Sequence, residues 1–214
     1  MLTALIIALV LLATATVAGG ALMVASARRR ELGGRSHSDQ PLLTDGRGEL
    51  VERGIDDLRV GDVVQYDSRD FLVEGLVSYD EDGHRWSASR IVDAADVRWV
   101  IVGLGRAGTR ASVRMVKVDP DIELSGYPPE AIDAAGIRFA LENRGTASAK
   151  LAGDLGDLPG KRTETNLETI ERCRWWRYEG PGTDTLVVEQ WGGEYRALRG
   201  ERVPDGVLEL IPGS

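Results

Sequence analysis

Phe71-Leu-Val-Glu-Gly-Leu-Val-Ser-Tyr79 runs into Asp80-Glu-Asp-Gly83 and then into His84-Arg-Trp-Ser-Ala-Ser-Arg-Ile-Val92. Branched and aromatic residues fill both arms, and such residues suit a pleated, half-buried surface. Asp-Gly between them is a hairpin signal, because glycine accepts the positive φ of a tight turn. In the second arm Trp86, Ala88 and Arg90 share one face, since side chains alternate along a strand.

The same texture spreads in both directions. Upstream, residues 58–66 end in a short strand pattern after Gly61. Downstream, Val97-Arg-Trp-Val-Ile-Val102 is a further strand, and residues 112–118 read as its partner. Pro128 and Pro129 followed by residues 130–135 predict one short helix, with Gly136 as its stop. Residues 137–142 and 146–151 predict a hairpin around Asn143-Arg-Gly145, and residues 155–165 a polar loop. Residues 173–178, 185–191 and 195–198 form a meander punctuated by Gly180-Pro-Gly182 and Gly192-Gly193, and residues 207–211 give a last short strand. Strand follows strand with frequent turns. The predicted class is mainly β, an antiparallel sandwich or barrel-like sheet rather than alternating βαβ units, plus one N-terminal transmembrane helix. A tyrosine, a turn and a tryptophan recur in Tyr79 to Trp86 and Tyr178 to Trp191, which suggests a duplicated β unit.

The helix expectation rests on residues 2–27, which contain no charged side chain and precede Arg28, Arg29 and Arg30. Roughly 24 helical residues span about 36 Å, enough for a hydrocarbon core of about 30 Å. Positive flanks stay in the cytoplasm, so the arginines predict a cell-membrane protein with its N-terminus outside and its C-terminal domain cytoplasmic. The same arginines can touch lipid headgroups. The competing reading is a cleaved signal peptide, for which Ala25-Ser-Ala27 resembles a cleavage site. The resulting division is a transmembrane helix at 1–27, a flexible Gly- and Ser-rich linker at 28–57, and a β-rich domain at 58–212.

A net charge of −8 argues against a nucleic-acid partner. One cysteine, Cys173, excludes an internal disulfide, and two histidines beside it leave too few ligands for a structural zinc site. The expectation is therefore no metal centre and no cofactor. Gly103-Leu-Gly-Arg-Ala-Gly108 has the spacing of a dinucleotide fingerprint, but strand-like residues follow where a helix is required, so it reads as a hairpin loop. His84 reads as a turn histidine, Cys173 as a buried thiol, and Asp80, Glu81 and Asp82 as a solvated turn. Five tryptophans are the richest signal. Adjacent Trp175 and Trp176 must point to opposite faces of their strand, one into the core and one onto a second face that another sheet can cover; an exposed tryptophan would mark a binding surface.

Gly61-Asp-Val-Val-Gln-Tyr66, Phe71-Leu-Val-Glu-Gly75, Trp86, Trp99, Phe139-Ala-Leu-Glu-Asn-Arg-Gly-Thr-Ala147, Trp176-Arg-Tyr-Glu-Gly180 and Leu186-Val-Val-Glu-Gln-Trp191, taken in order, resemble the bacterial domain family DUF4178 across about 58–212. Ser87-Ala-Ser-Arg90 stands where an acidic-aromatic pair often follows the first tryptophan in that family. The resemblance implies no established activity; it implies a bacterial setting near small membrane proteins and polyamine aminopropyltransferase-like enzymes, linked to envelope stress.

Two functions fit these readings. The first is a membrane-anchored, non-enzymatic module that binds another protein or a membrane component. The second is a domain for a small cation such as a polyamine, or an accessory to a polyamine-type enzyme, because acids with aromatic walls suit ammonium groups. Glu74, Trp176, Glu179, Glu189 and Trp191 are the candidate ligand-binding residues, and no catalytic residue is predicted.

Overall fold

The Asp82-Gly83 turn, with both residues at positive φ, joins two long antiparallel strands and begins a meander. This is a computed structural model; it describes residues 53–105, 112–159, 170–204 and 206–213. The expected transmembrane segment, the Arg28, Arg29 and Arg30 flank and most of the linker lie outside the described residues. Among the described residues no helix is long and apolar enough to cross a membrane.

In chain order the strands are β1 (Val63–Tyr66), β2 (Arg69–Glu81), β3 (His84–Asp93), β4 (Asp96–Val102), β5 (Val113–Val118), β6 (Ala131–Ala134), β7 (Ile137–Gly153), β8 (Ile170–Glu179), β9 (Asp184–Trp191), β10 (Glu194–Val203) and β11 (Glu209–Ile211). A single 3-10 turn at Ile55–Asp57 is the only helical element among the described residues. The sheet order β2-β3-β4-β5-β10-β9-β8-β7 closes because β7 pairs back onto β2. The result is an eight-stranded antiparallel barrel with β1, β11 and β6 outside the ring. Closure leaves the ring no free edge.

Two strands belong to two layers each. Arg69 to Leu72 of β2 pair with β1, while Gly75 to Asp80 pair with β7. Ile137 to Ala140 of β7 pair with β6, while Ser148 to Gly153 pair with β2. A register shift breaks each strand at the crossover, between Val73 and Gly75 in β2 and between Leu141 and Asn143 in β7. Such bulges bend a strand and increase its twist. Each hairpin therefore folds over the outside of its own meander. Val64, Phe71, Ile91, Val100 and Met115 make one outer core; Ile132, Phe139, Tyr178, Val188 and Ala197 make the other. The barrel interior is a third, built on Val77, Trp86, Trp99, Trp175, Val187 and Leu198.

The duplication is real, but its correspondences differ from the expected ones. β1–β5 and β6–β10 are two meanders of the same order, joined antiparallel at β2–β7 and β5–β10. The ladder registers match Phe71 with Phe139, Glu74 with Glu142, Arg90 with Arg177, and Arg114 with Arg196. Tyr178 occupies the place of Ile91, so the tyrosine–turn–tryptophan pattern is not the repeat.

Two local expectations fail. Residues 131–134 are strand β6, not a helix: Ile132 pairs with Phe139, and both are buried in the outer core. Packing overrides the helical preference of an Ala-rich stretch. Asn143-Arg-Gly145 is not a turn; β7 runs through it. The Glu81 carboxylate lies over Gly145, 2.1 Å from where a Cβ would stand. That carboxylate accepts the Thr146 N–H at 2.6 Å.

The folded unit also begins before Leu58. Arg53 pairs with Asp62 at 2.5 Å, and Asp62 accepts the Arg59 N–H at 2.7 Å and the Gly213 N–H at 2.8 Å. Burial works against this charge, but those donors outweigh it and hold the Asp62 carboxyl below its usual range.

Candidate binding sites at the two barrel mouths

All five tryptophans are buried, none above 6 % exposure. Trp175 points into the barrel and Trp176 onto the outer face, where Tyr127 and Tyr195 pack against it. The opposite-face expectation for this pair is thus met, and no tryptophan marks an exposed surface.

The polar centre of the barrel is Glu189. Tyr79 donates its hydroxyl to one carboxylate oxygen at 2.8 Å. The other oxygen accepts Trp191 Nε1 at 3.0 Å and Arg196 Nη2 at 2.5 Å. Arg196 also lies over the Trp99 ring, 4.1 Å from its centre, so this buried guanidinium is held by charge and by an aromatic face. Burial and the Glu189 charge push the Tyr79 hydroxyl well up, and burial does the same for the Cys173 thiol. Cys173 is a free, buried cysteine, as expected.

Arg114 and Arg196 sit at opposite ends of neighbouring strands, because Arg114 pairs with Arg202 while Val118 pairs with Leu198. They mark two mouths. Mouth A, around Arg196, opens into a cavity of about 630 Å³. Val97, Trp99, Ile122, Leu155, Leu158 and Tyr195 supply its apolar and aromatic wall. Arg90 and Arg196 line it too, but Arg90 is bonded to Glu74 and Arg196 to Glu189. Asp119 is paired with Arg199 at 2.5 Å. Glu123 and Asp157 complete the rim, and neither takes part in an ion pair among the described residues.

Mouth B is built differently. Arg114, 1 % exposed, donates to the Leu104 carbonyl at 2.9 Å, Ser112 Oγ at 2.7 Å and Glu179 at 3.1 Å. Arg177 Nε stands 3.7 Å from Glu179, and Arg202 Nε 3.4 Å. Burial lowers the Arg114 pKa; Glu179 opposes this, and Arg177 and Arg202 add repulsion.

The sequence candidates scatter over this frame. Glu189 and Trp191 meet inside the barrel, Trp176 lies in an outer core, Glu74 belongs to mouth A and Glu179 to mouth B. Each of the three acids has an arginine partner that the sequence reading did not supply. The signal was an arginine set among apolar residues of a strand, as in Val113-Arg-Met-Val116 and Tyr195-Arg-Ala-Leu198. The rim acids Glu123 and Asp157 were missed because they lie in connections without periodicity. His84 begins β3 beside Trp86, with its Nε2 buried and without a hydrogen-bond partner among the described residues. The Gly103 loop does link the antiparallel strands β4 and β5, with Gly103 N–H donating to the Ser112 carbonyl at 3.1 Å; residues 106–111 lie outside the described residues. Among the described residues no cluster of His, Cys, Asp or Glu has the arrangement of a metal site.

A family model described as Domain of unknown function (DUF4178) matches residues 59–205, and the chain belongs to this family. No curated protein and no solved structure matches it.

Proposed function

We propose that this DUF4178 member is a membrane-tethered, non-catalytic binding module whose mouth A takes a small organic cation with an apolar body, of the polyamine class. The tether is supported by the uncharged run 2–27 and its arginine flank. The observation that carries the ligand class is the charge balance of the cavity. Its two arginines are already neutralised by Glu74 and Glu189, so among the described residues the unpaired charges on the rim are the carboxylates of Glu123 and Asp157 beside a wall of Trp99, Tyr195 and leucines. An ammonium group gains from such carboxylates, and methylene segments gain from the wall. The burial of every tryptophan favours this reading over a flat aromatic docking face.

The test is a thermal shift of the full-length chain with spermidine, since a ligand that binds the native state raises its stability. The expected result is a rise in Tm that Glu123→Gln with Asp157→Asn abolishes. No rise at millimolar spermidine removes the polyamine reading. A carboxy-terminal reporter active on one side of the membrane tests the tether; an external signal overturns the cytoplasmic placement.

A further inference from the structure

The two halves of the barrel carry equivalent arginines with unequal partners. At mouth A, Arg196 stands opposite Glu189 and Arg90 is bonded to Glu74. At mouth B both acids are missing. Ile101 stands opposite Arg114 where the other half has Glu189. Glu142, the counterpart of Glu74, is exposed on its bulge and forms no ion pair among the described residues.

What remains among the described residues is one carboxylate for three guanidiniums. Glu179 serves Arg114, Arg177 and Arg202 at 3.1, 3.7 and 3.4 Å. The other acceptors, the Leu104 and Gly182 carbonyls, Ser112 and Thr185, are neutral. Among the described residues, Arg177 Nε and Glu179 Oε2 are both buried without a hydrogen-bond partner, although Arg177 Nη1 reaches the Leu104 carbonyl at 3.5 Å. A local surplus of positive charge, with an unused donor, is unusual in a chain of net charge −8. Buried or half-buried cations that outnumber their counter-charges are costly, so this arrangement invites an anion.

We propose that mouth B binds a dianionic tetrahedral oxyanion: inorganic phosphate or the phosphate group of a small soluble ester. Arg177 of β8 and Arg202 of β10 face the site with the charge of the buried Arg114 of β5 behind them, and arginine forks on two strands suit the several oxygens of phosphate better than the two of a carboxylate. A dianion balances the surplus that one carboxylate would halve. Arg202, 43 % exposed, gives the site its opening to solvent. This inference is independent of the cation reading of mouth A.

The full-length chain is titrated with phosphate, and at matched ionic strength with acetate and with chloride, reading Tm and binding heat. Phosphate is expected to raise Tm and release heat, with acetate at least about tenfold weaker. Arg202→Gln removes an exposed charge and keeps the strand; it should weaken phosphate roughly tenfold, as losing a charged hydrogen bond implies. Lys117→Gln, a surface cation paired with Asp96 outside mouth B, should leave phosphate binding unchanged. A phosphate response no larger than that of chloride, or one unaltered by Arg202→Gln, overturns the proposal.

Discussion

The two mouths come from the same meander used twice, yet one is electrically closed and the other is not. At mouth A each arginine has its own carboxylate, and Arg196 also has the face of Trp99. At mouth B three arginines share Glu179. The difference traces to two positions, Ile101 against Glu189 and the outward Glu142 against the inward Glu74. The lesson is that a duplicated β scaffold can keep its ladders and outer cores while its ends diverge by single side chains. Backbone pairing holds the arginines in place; which strand carries the acid decides whether a mouth has charge left over for a ligand.

The largest effect should come from breaking the closed mouth. Glu189→Ala strands Arg196 inside the barrel and takes the acceptor from Tyr79. Urea unfolding should show a loss of about 3–5 kcal/mol, typical of a buried pair with one partner removed. A loss below about 1 kcal/mol would mean that Arg196 escapes to solvent, and the contrast between the mouths would weaken. Glu179→Gln should cost less, about 1.5–3 kcal/mol, because its arginines keep neutral acceptors and partial exposure.

A third variant probes the seam between the halves. Gly200 pairs with Val116, and a Cβ there would lie 2.1 Å from the Met115 carbonyl. The counterpart position in the first half, Val118, carries a side chain without hindrance and is half exposed. Gly200→Ala should therefore cost about 1–3 kcal/mol by denaturant unfolding, as overpacking does, while Val118→Ala should be near neutral. Equal effects would argue that the two seam positions are not constrained differently.

The smallest effect concerns acid. Asp96 accepts from Arg98, Lys117 and Arg69, which hold its carboxyl well below the usual range in spite of burial. A depressed folded pKa contributes stability that is fully present above the unfolded value of about 3.9 and is lost as pH falls toward the folded one. Asp62 acts in the same direction. The chain should lose stability below about pH 4, and Asp96→Asn should flatten that limb of the pH–Tm curve. An unchanged limb would assign acid sensitivity elsewhere.

Much of the barrel wall was readable from local pattern. The Asp-Gly hairpin, the β4–β5 pair and the β8–β10 meander all announce themselves through alternation and turn residues, and the Trp175–Trp176 split follows from strand geometry alone. β6 was misread because alanines and acids after two prolines favour a helix locally, while the outer core that pins Ile132 forms only in the tertiary fold. Asn143-Arg-Gly145 reads as a turn because the partner of this stretch, the Glu81 carboxylate that accepts the Thr146 N–H, lies in no local window. The site suffered the same limit. Glu74, Glu179 and Glu189 stand out in the sequence as acids near aromatic residues, but Arg114 reaches Glu179 across 65 residues of chain, and such pairings are set by strand order.

One measurement addresses the contrast between the mouths directly: the unfolding free energy of the full-length wild type, Glu189→Gln and Glu179→Gln, each with and without phosphate at constant ionic strength. The account predicts that phosphate stabilises Glu179→Gln more than the wild type, because the anion replaces the lost carboxylate among the three arginines. It also predicts that Glu189→Gln gains less than Glu179→Gln, because it strands one arginine, which keeps the face of Trp99, where Glu179→Gln strands three. Equal gains in the two variants, or no extra gain in Glu179→Gln, would contradict it.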